Sequence, residues 1–240
     1  MNEFIFYKKR GFSALIGDTF IFFKKYARNF FSNYLIVNGA ILAATGIIAS
    51  AMLALYASSS FSIGFGPTAL LVLVLLLLSI LLILFVICYP IAYTQMLEEA
   101  PYRGDISAKE IFAKMKVMLP RAFVFGFISI FVIGIPYGFI LTGITALIER
   151  EPVLSPLIST FIGSFMILFV QQFMLLYIKD KMDYFPALGK VIDQLKVGFW
   201  DKFGATFVMY LITTAIMIAG IIVPVVVYVI TLGVTGSFEA

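Results

Sequence analysis

The chain has 240 residues, of which 62% are hydrophobic and only 12% charged, and it carries a net charge of +4. Globular domains average about a quarter charged residues, so this composition lies far outside the soluble class. Histidine is absent, which removes the commonest metal ligand and proton shuttle and, with them, haem-type axial pairs and a Ser-His triad.

Charge placement is more informative than the total. Sixteen of the seventeen lysines and arginines fall within residues 1–28, 98–121 and 179–202, and the remaining one is Arg150. Uncharged runs occupy residues 29–97, 122–148, 152–178 and 203–238. A helix needs about 20 apolar residues to cross hydrocarbon, and its backbone bonds must be satisfied internally. The expected fold class is therefore all-α: a polytopic transmembrane helical bundle of five or six spans, forming a single integral-membrane domain over residues 1–240.

In chain order, residues 12–23 are apolar but are closed off by Lys24, Lys25 and Arg28, with no small-x-small site following. That is not the pattern of a cleavable signal peptide. Residues 29–97 are too long for one span, and the small-residue stretch 58–67 breaks them. Spans are expected at about residues 34–56 and 69–94, then 122–147 and 154–178, the last two joined by a short link around residues 149–152. Residues 203–238 read as one tilted helix bent at Gly220 and Pro224 or, as the second choice, as a hairpin of two short segments. With the single helix, every cation-rich segment faces one compartment, and the positive-inside rule makes that the cytoplasm, with a cytoplasmic N-terminus. Glu149, Arg150, Glu151 and Glu239 lie on the opposite side.

The three basic segments share a pattern. Ile16, Phe20, Phe23, Ala27 and Phe30 recur at steps of 4, 3, 4 and 3, an apolar stripe on one helical face. A shift of 92 residues gives Ala108, Phe112, Met115, Leu119 and Ala122, and a further 80 gives Leu188, Ile192, Leu195 and Phe199. Ser107 and Glu110 fit a capping box, and Pro186 suits a first helical position. These segments are expected to be three interfacial amphipathic helices, each preceding a pair of spans, in repeats 13–97, 105–178 and an incomplete 186–240. The second span of the third repeat is missing or compressed, so the chain is expected to lack it or to be shorter than a full set of repeats. Lys24, Lys25, Arg28, Lys114, Lys116, Lys190 and Lys196 are the expected contacts to anionic phospholipid headgroups. Such helices either anchor and orient the bundle, or sense the leaflet and dock a partner. No aromatic-and-basic motif points to nucleic acid.

Chemistry-bearing residues are scarce. No charged residue falls within a span, which removes the usual signature of ion-coupled transport. The polar candidates are Gln171 and Gln172 in the fourth span, one of which could share a seam with Asn38 of the first, with interhelical hydrogen bonding the plainer role. Gly134 and Gly138 are spaced for close helix approach, as are Gly39, Ala43 and Gly46. Pro136, Pro90 and Pro224 mark kinks. Glu98 and Glu99 are adjacent carboxylates at a boundary, read as an interfacial pair because neighbouring helical residues diverge. Cys88, alone in an apolar run, reads as a packing hydrophobe. No phosphate loop, cysteine cluster or metal-ligand spacing is present. Neither cofactor nor metal is expected.

Residues 15–25 (LIGDTFIFFKK) with Asn29-Phe30-Phe31, and Arg103-Gly104-Asp105 leading into Lys109-Glu110-Ile111-Phe112, resemble a group of bacterial integral-membrane proteins. That group is related to the membrane domain of some glycerophosphodiester phosphodiesterases. The resemblance implies amphipathic helices before pairs of spans, often six spans in all, in a bacterial inner membrane. It carries over no catalytic residue, since the phosphodiesterase site lies in a separate soluble domain. The expected function is non-enzymatic: a structural or regulatory subunit, or a membrane-organising module, with a protein partner or a homo-oligomer. The alternative is a transporter or channel for an apolar or weakly polar solute.

Overall fold

The computed structural model describes residues 10–57, 65–100, 105–148, 154–215 and 218. Pro224, Gly220 and the rest of the final run lie outside the described residues, as do most of residues 58–67 and the link at 149–153. Helix α1 spans Phe12–Ala57 and α2 spans Phe65–Glu99. Helix α3 (Ala108–Ser129) passes through a π-helical turn at Ile130–Gly134 into α4 (Ile135–Ile148). Helix α5 (Leu154–Met174) ends in a second π-helical turn at Leu175–Lys179, followed by α6 (Tyr184–Lys196) and by α7 over residues 199–215. No strand occurs among the described residues.

Among the described residues, four stretches are long and apolar enough to cross a membrane: Phe12–Met52, Ala69–Glu99, Ala108–Leu147 and Leu154–Lys179. Their apolar side chains mostly face outward. Leu70, Leu73, Leu76 and Leu77 of α2 are each more than half exposed, as are Phe127, Phe131, Phe139 and Leu147 from the end of α3 through α4. An apolar surface of that extent is tolerable only where the solvent is itself apolar. The chain is a helical membrane protein.

The first two basic segments are not separate helices. Nothing breaks α1 between Phe12 and Ala57, so its 46 residues run about 69 Å, over twice the hydrocarbon thickness. The second basic segment likewise continues through α3 into α4. Only the third forms its own helix, α6, closed by a turn in which Gly198 adopts a left-handed φ of +66°, a conformation glycine enters freely. The Lys202 ammonium then donates to the Gln194 carbonyl at 2.8 Å, satisfying one of the orphan acceptors at the end of α6.

The buried faces are offset from the expected stripes. In α3 the buried residues are Ile111, Met115, Met118, Ala122 and Phe125, and in α6 they are Tyr184, Ala187, Val191 and Leu195. Phe20, Phe112 and Ile192, members of those stripes, are 56%, 37% and 48% exposed. The apolar arc of each helix is wider than its packed seam, so periodicity locates the arc but not the half that meets protein.

Helix starts follow local chemistry. Glu110 N–H donates to Ser107 Oγ at 3.4 Å, and Ser107 N–H donates to Glu110 Oε2 at 3.1 Å, completing the expected capping box. Pro186 is the third helical residue rather than the first, because Ala187 N–H donates to Asp183 O at 2.9 Å and starts the helix earlier. Pro186 still lies in the first turn, where a missing N–H costs nothing. The π turn at Ile130–Gly134 immediately precedes Pro136, whose ring cannot accept a regular preceding turn. The turn widens instead, and the helix continues. Helix α2 runs unbroken through Pro90, with the Thr94 hydroxyl on the Pro90 carbonyl at 2.7 Å.

The core gathers at the basic end of the bundle. Tyr89, Tyr93, Cys88, Leu97, Ile111, Met115, Phe173 and Val191 are almost fully buried there. Helix α1 packs on α2, α2 on α3, α4 on α5 and α5 on α6.

Candidate functional site

Three polar clasps tie the basic end together. Asn29 of α1 donates to the Ile106 carbonyl (3.3 Å) and Asp105 Oδ1 (3.4 Å), while the Tyr93 hydroxyl donates to Asn29 Oδ1 at 2.9 Å. Asn33, one turn on, adds a 2.8 Å bond to the Ile106 carbonyl. Arg121 of α3 donates from Nε to the Tyr177 carbonyl (3.0 Å) and from Nη2 to the Met182 carbonyl (2.6 Å), with its guanidinium 4.5 Å from the Tyr177 ring centroid. Asp201 of α7 accepts from the Phe12 N–H at 3.1 Å. Positions 29, 121 and 201 are separated by 92 and 80 residues, the offsets that relate the apolar stripes. Each clasp holds backbone at or just before the start of a basic helix: Ile106 before α3, Met182 before α6 and Phe12 opening α1. The clasp residues Asn29, Arg121 and Asp201 differ in type, so composition alone did not single them out; only their shared register could have done so.

Ion pairs reinforce this end. Glu98 pairs with Lys179 at 2.7 Å and Glu99 with Lys114, so the two carboxylates diverge to partners on different elements. Arg10 pairs with Asp18 in the first turns of α1. Among the expected headgroup contacts, Lys24, Lys25, Arg28, Lys116, Lys190 and Lys196 are exposed, and Lys114 is half-buried. Lys25 lies 5.1 Å from the Tyr26 ring centroid and Lys116 5.2 Å from that of Phe112, while Lys196 pairs with Asp193 at 2.8 Å.

The expected seam between Asn38 and the glutamines does not form. Gln171 and Gln172 line a cleft of about 440 Å³ together with Thr19, Lys202, Thr206 and Tyr210. Asn38 lies 19 residues beyond Thr19 on the same helix, about 28 Å along its axis. It is fully buried, donating to the Tyr34 carbonyl at 3.0 Å, while its Oδ1 has no partner. Side-chain polarity marked all three residues, but Asn38 bonds within its own helix while the glutamines line the cleft.

The glycine notches are open. A Cβ built at Gly39, Gly46 or Gly138 would meet nothing within 4 Å, and one at Gly134 would meet only the Ser129 carbonyl at 3.6 Å. Close helix approach at Gly134 and Gly138 is therefore not realised among the described residues. Pro136 instead lines an apolar recess of about 270 Å³ with Ile133, Tyr137, Phe165 and Phe169. No group of histidine, cysteine and carboxylate residues that could hold a metal ion occurs among the described residues.

The clasps lock backbone, the ion pairs cross-link elements, and the exposed lysines present positive charge. That arrangement can bind an anionic surface. Comparison with protein-family models, curated proteins and solved structures gives no match to this chain.

Proposed function

We propose that this is a non-enzymatic membrane protein whose basic end engages the anionic cytoplasmic leaflet, acting as a structural or regulatory subunit of the bacterial inner membrane. Helix α6 carries the reading. One side of it is buried through Ala187, Val191 and Leu195, while Phe185, Val197 and Trp200 stand 70–74% exposed beside Lys190 and Lys196. Large apolar and cationic groups exposed together suit the headgroup boundary, where rings enter the acyl region and ammonium groups meet phosphate. The positive-inside rule then puts this end in the cytoplasm. The shared register of the three clasps supports internal repetition of a basic helix followed by spans, and kinship with the phosphodiesterase membrane-domain group belongs to the same proposal.

Trp200 is the only tryptophan in the chain and so a native probe of depth. Reconstituted protein should show Trp200 fluorescence quenched by phospholipids brominated near the headgroup and protected from aqueous iodide. Full iodide access with no quenching by brominated lipid would refute the interfacial placement. Turnover of phospholipid by the reconstituted protein would refute the non-enzymatic reading.

A second reading, a transporter or channel for a weakly polar solute, draws on the cleft at Gln171 and Gln172. Its lining runs from Lys202 to Thr213, about 17 Å along α7, roughly half the hydrocarbon thickness. Liposome flux abolished by Gln171→Ala with Gln172→Ala would favour this reading over the first.

A further inference from the structure

Of the three clasps, the one at Arg121 stands in a pocket ringed by cations. A cavity of about 300 Å³ is lined there by Lys114, Arg121, Lys179, Lys181, Gln95 and Glu99. The cations converge from α3, from the second π turn and from the segment that follows it. Glu99 pairs with Lys114, and Glu98 pairs with Lys179. Two positive charges, on Arg121 and Lys181, are left without a carboxylate among the described residues. With Lys114 and Lys179 paired, the recess keeps a net positive charge from Arg121 and Lys181, and an anion there would be favoured.

Two further observations point the same way. Lys181 is the one non-glycine residue with positive φ among the described residues, at +56°. A lysine enters that left-handed conformation only at a cost, and strain of this kind gathers at binding sites. Arg121 uses Nε and Nη2 on carbonyls, which fixes the guanidinium plane and leaves Nη1 donors unused among the described residues. A fixed guanidinium fork together with mobile ammonium groups matches the oxygens of a phosphate.

The pocket also has an apolar wall. Val117, 73% exposed, lines it and begins a stripe through Pro120, Val124, Phe127 and Phe131 at steps of 3, 4, 3 and 4, every member exposed. The stripe descends α3 into the span, as an acyl chain would. A free phosphate ion would make no use of it.

We propose that this pocket binds the phosphate group of an anionic phospholipid, with Lys114, Arg121, Lys179 and Lys181 around the headgroup and the acyl chains along the stripe from Val117 to Phe131. Basic pockets between spans on the cytoplasmic side take such headgroups. The inference rests on the proposed contact between the basic end and an anionic leaflet, and narrows that contact to one site.

The test uses full-length protein in dodecyl maltoside, titrated calorimetrically with dioctanoyl phosphatidylglycerol, dioctanoyl phosphatidylcholine or inorganic phosphate. Phosphatidylglycerol should bind saturably and about tenfold more tightly than phosphatidylcholine, and equimolar inorganic phosphate should not displace it. Lys181→Gln and Lys114→Gln should each weaken binding about fivefold, and more than Lys190→Gln or Lys196→Gln on α6 does, while Lys109→Gln leaves it unchanged. Lys181 is exposed and has no ion pair among the described residues, so its variant tests the pocket without removing a structural contact. Equal binding by wild type, Lys181→Gln and Lys114→Gln overturns the pocket. Loss confined to the α6 variants overturns the pocket but leaves the leaflet reading standing. Displacement by inorganic phosphate overturns the lipid assignment in favour of a small anion. No preference for phosphatidylglycerol in any form, together with an unquenched Trp200, overturns both readings.

Discussion

Replacing Arg121 by alanine removes the hydrogen bonds to the Tyr177 and Met182 carbonyls and the stacking on the Tyr177 ring. Each charge-assisted bond is worth about 1.5–3 kcal/mol, and a partly exposed cation–π contact about 0.5–1 kcal/mol. These contributions overlap, because one guanidinium makes all three contacts and the freed carbonyls regain water at this end of the bundle. A net loss of about 3 kcal/mol follows. For a chain of this size, 1 kcal/mol moves the melting point by roughly 2–4 °C, so Arg121→Ala should melt about 6–12 °C below wild type. Arg121→Lys keeps the charge but loses the fork and the flat stacking surface, and should fall about midway. The measurement is helicity at 222 nm during thermal unfolding in dodecyl maltoside, at one scan rate for all variants. Arg121→Ala melting within about 1 °C of wild type would refute the clamp. A lysine variant as damaged as the alanine one would support the forked geometry over the charge.

Two further predictions concern buried and terminal polar groups. Asn38→Leu removes an acceptor that is fully buried and unpartnered, so it should raise the melting point by a few degrees. A drop of more than about 2 °C in the same unfolding experiment would show that Asn38 Oδ1 has a stabilising role. Ser107→Ala removes half of the capping box and should cost about 1 kcal/mol, or roughly 2–4 °C, with local amide exchange of residues 108–111 rising above that of α2. An unchanged exchange pattern there would contradict the cap.

Several features were legible because they depend on residues close together in sequence. Apolar windows of span length, the capping box at Ser107 and Glu110, and the divergence of Glu98 from Glu99 are all set within about one helical turn or one uninterrupted run.

Other features required distant residues to meet. Arg121 reads as one more boundary cation until Tyr177 and Met182 arrive from beyond another span, and Asp201 has no evident role until Phe12 is placed beside it, 189 residues earlier in the chain. The packed half of each apolar arc could not be chosen from periodicity, because lipid and protein interior both favour the same side chains. Asn38 and the glutamines share a chemistry, yet Asn38 bonds to the Tyr34 carbonyl of its own helix while the glutamines line a separate cleft. By itself the sequence determined that the chain is a bundle of membrane-crossing helices with its cations drawn to the span boundaries, because transfer of charge and apolar surface depends on local composition. The tertiary structure alone decided which of those cations converge on one pocket, because convergence depends on how separate helices pack.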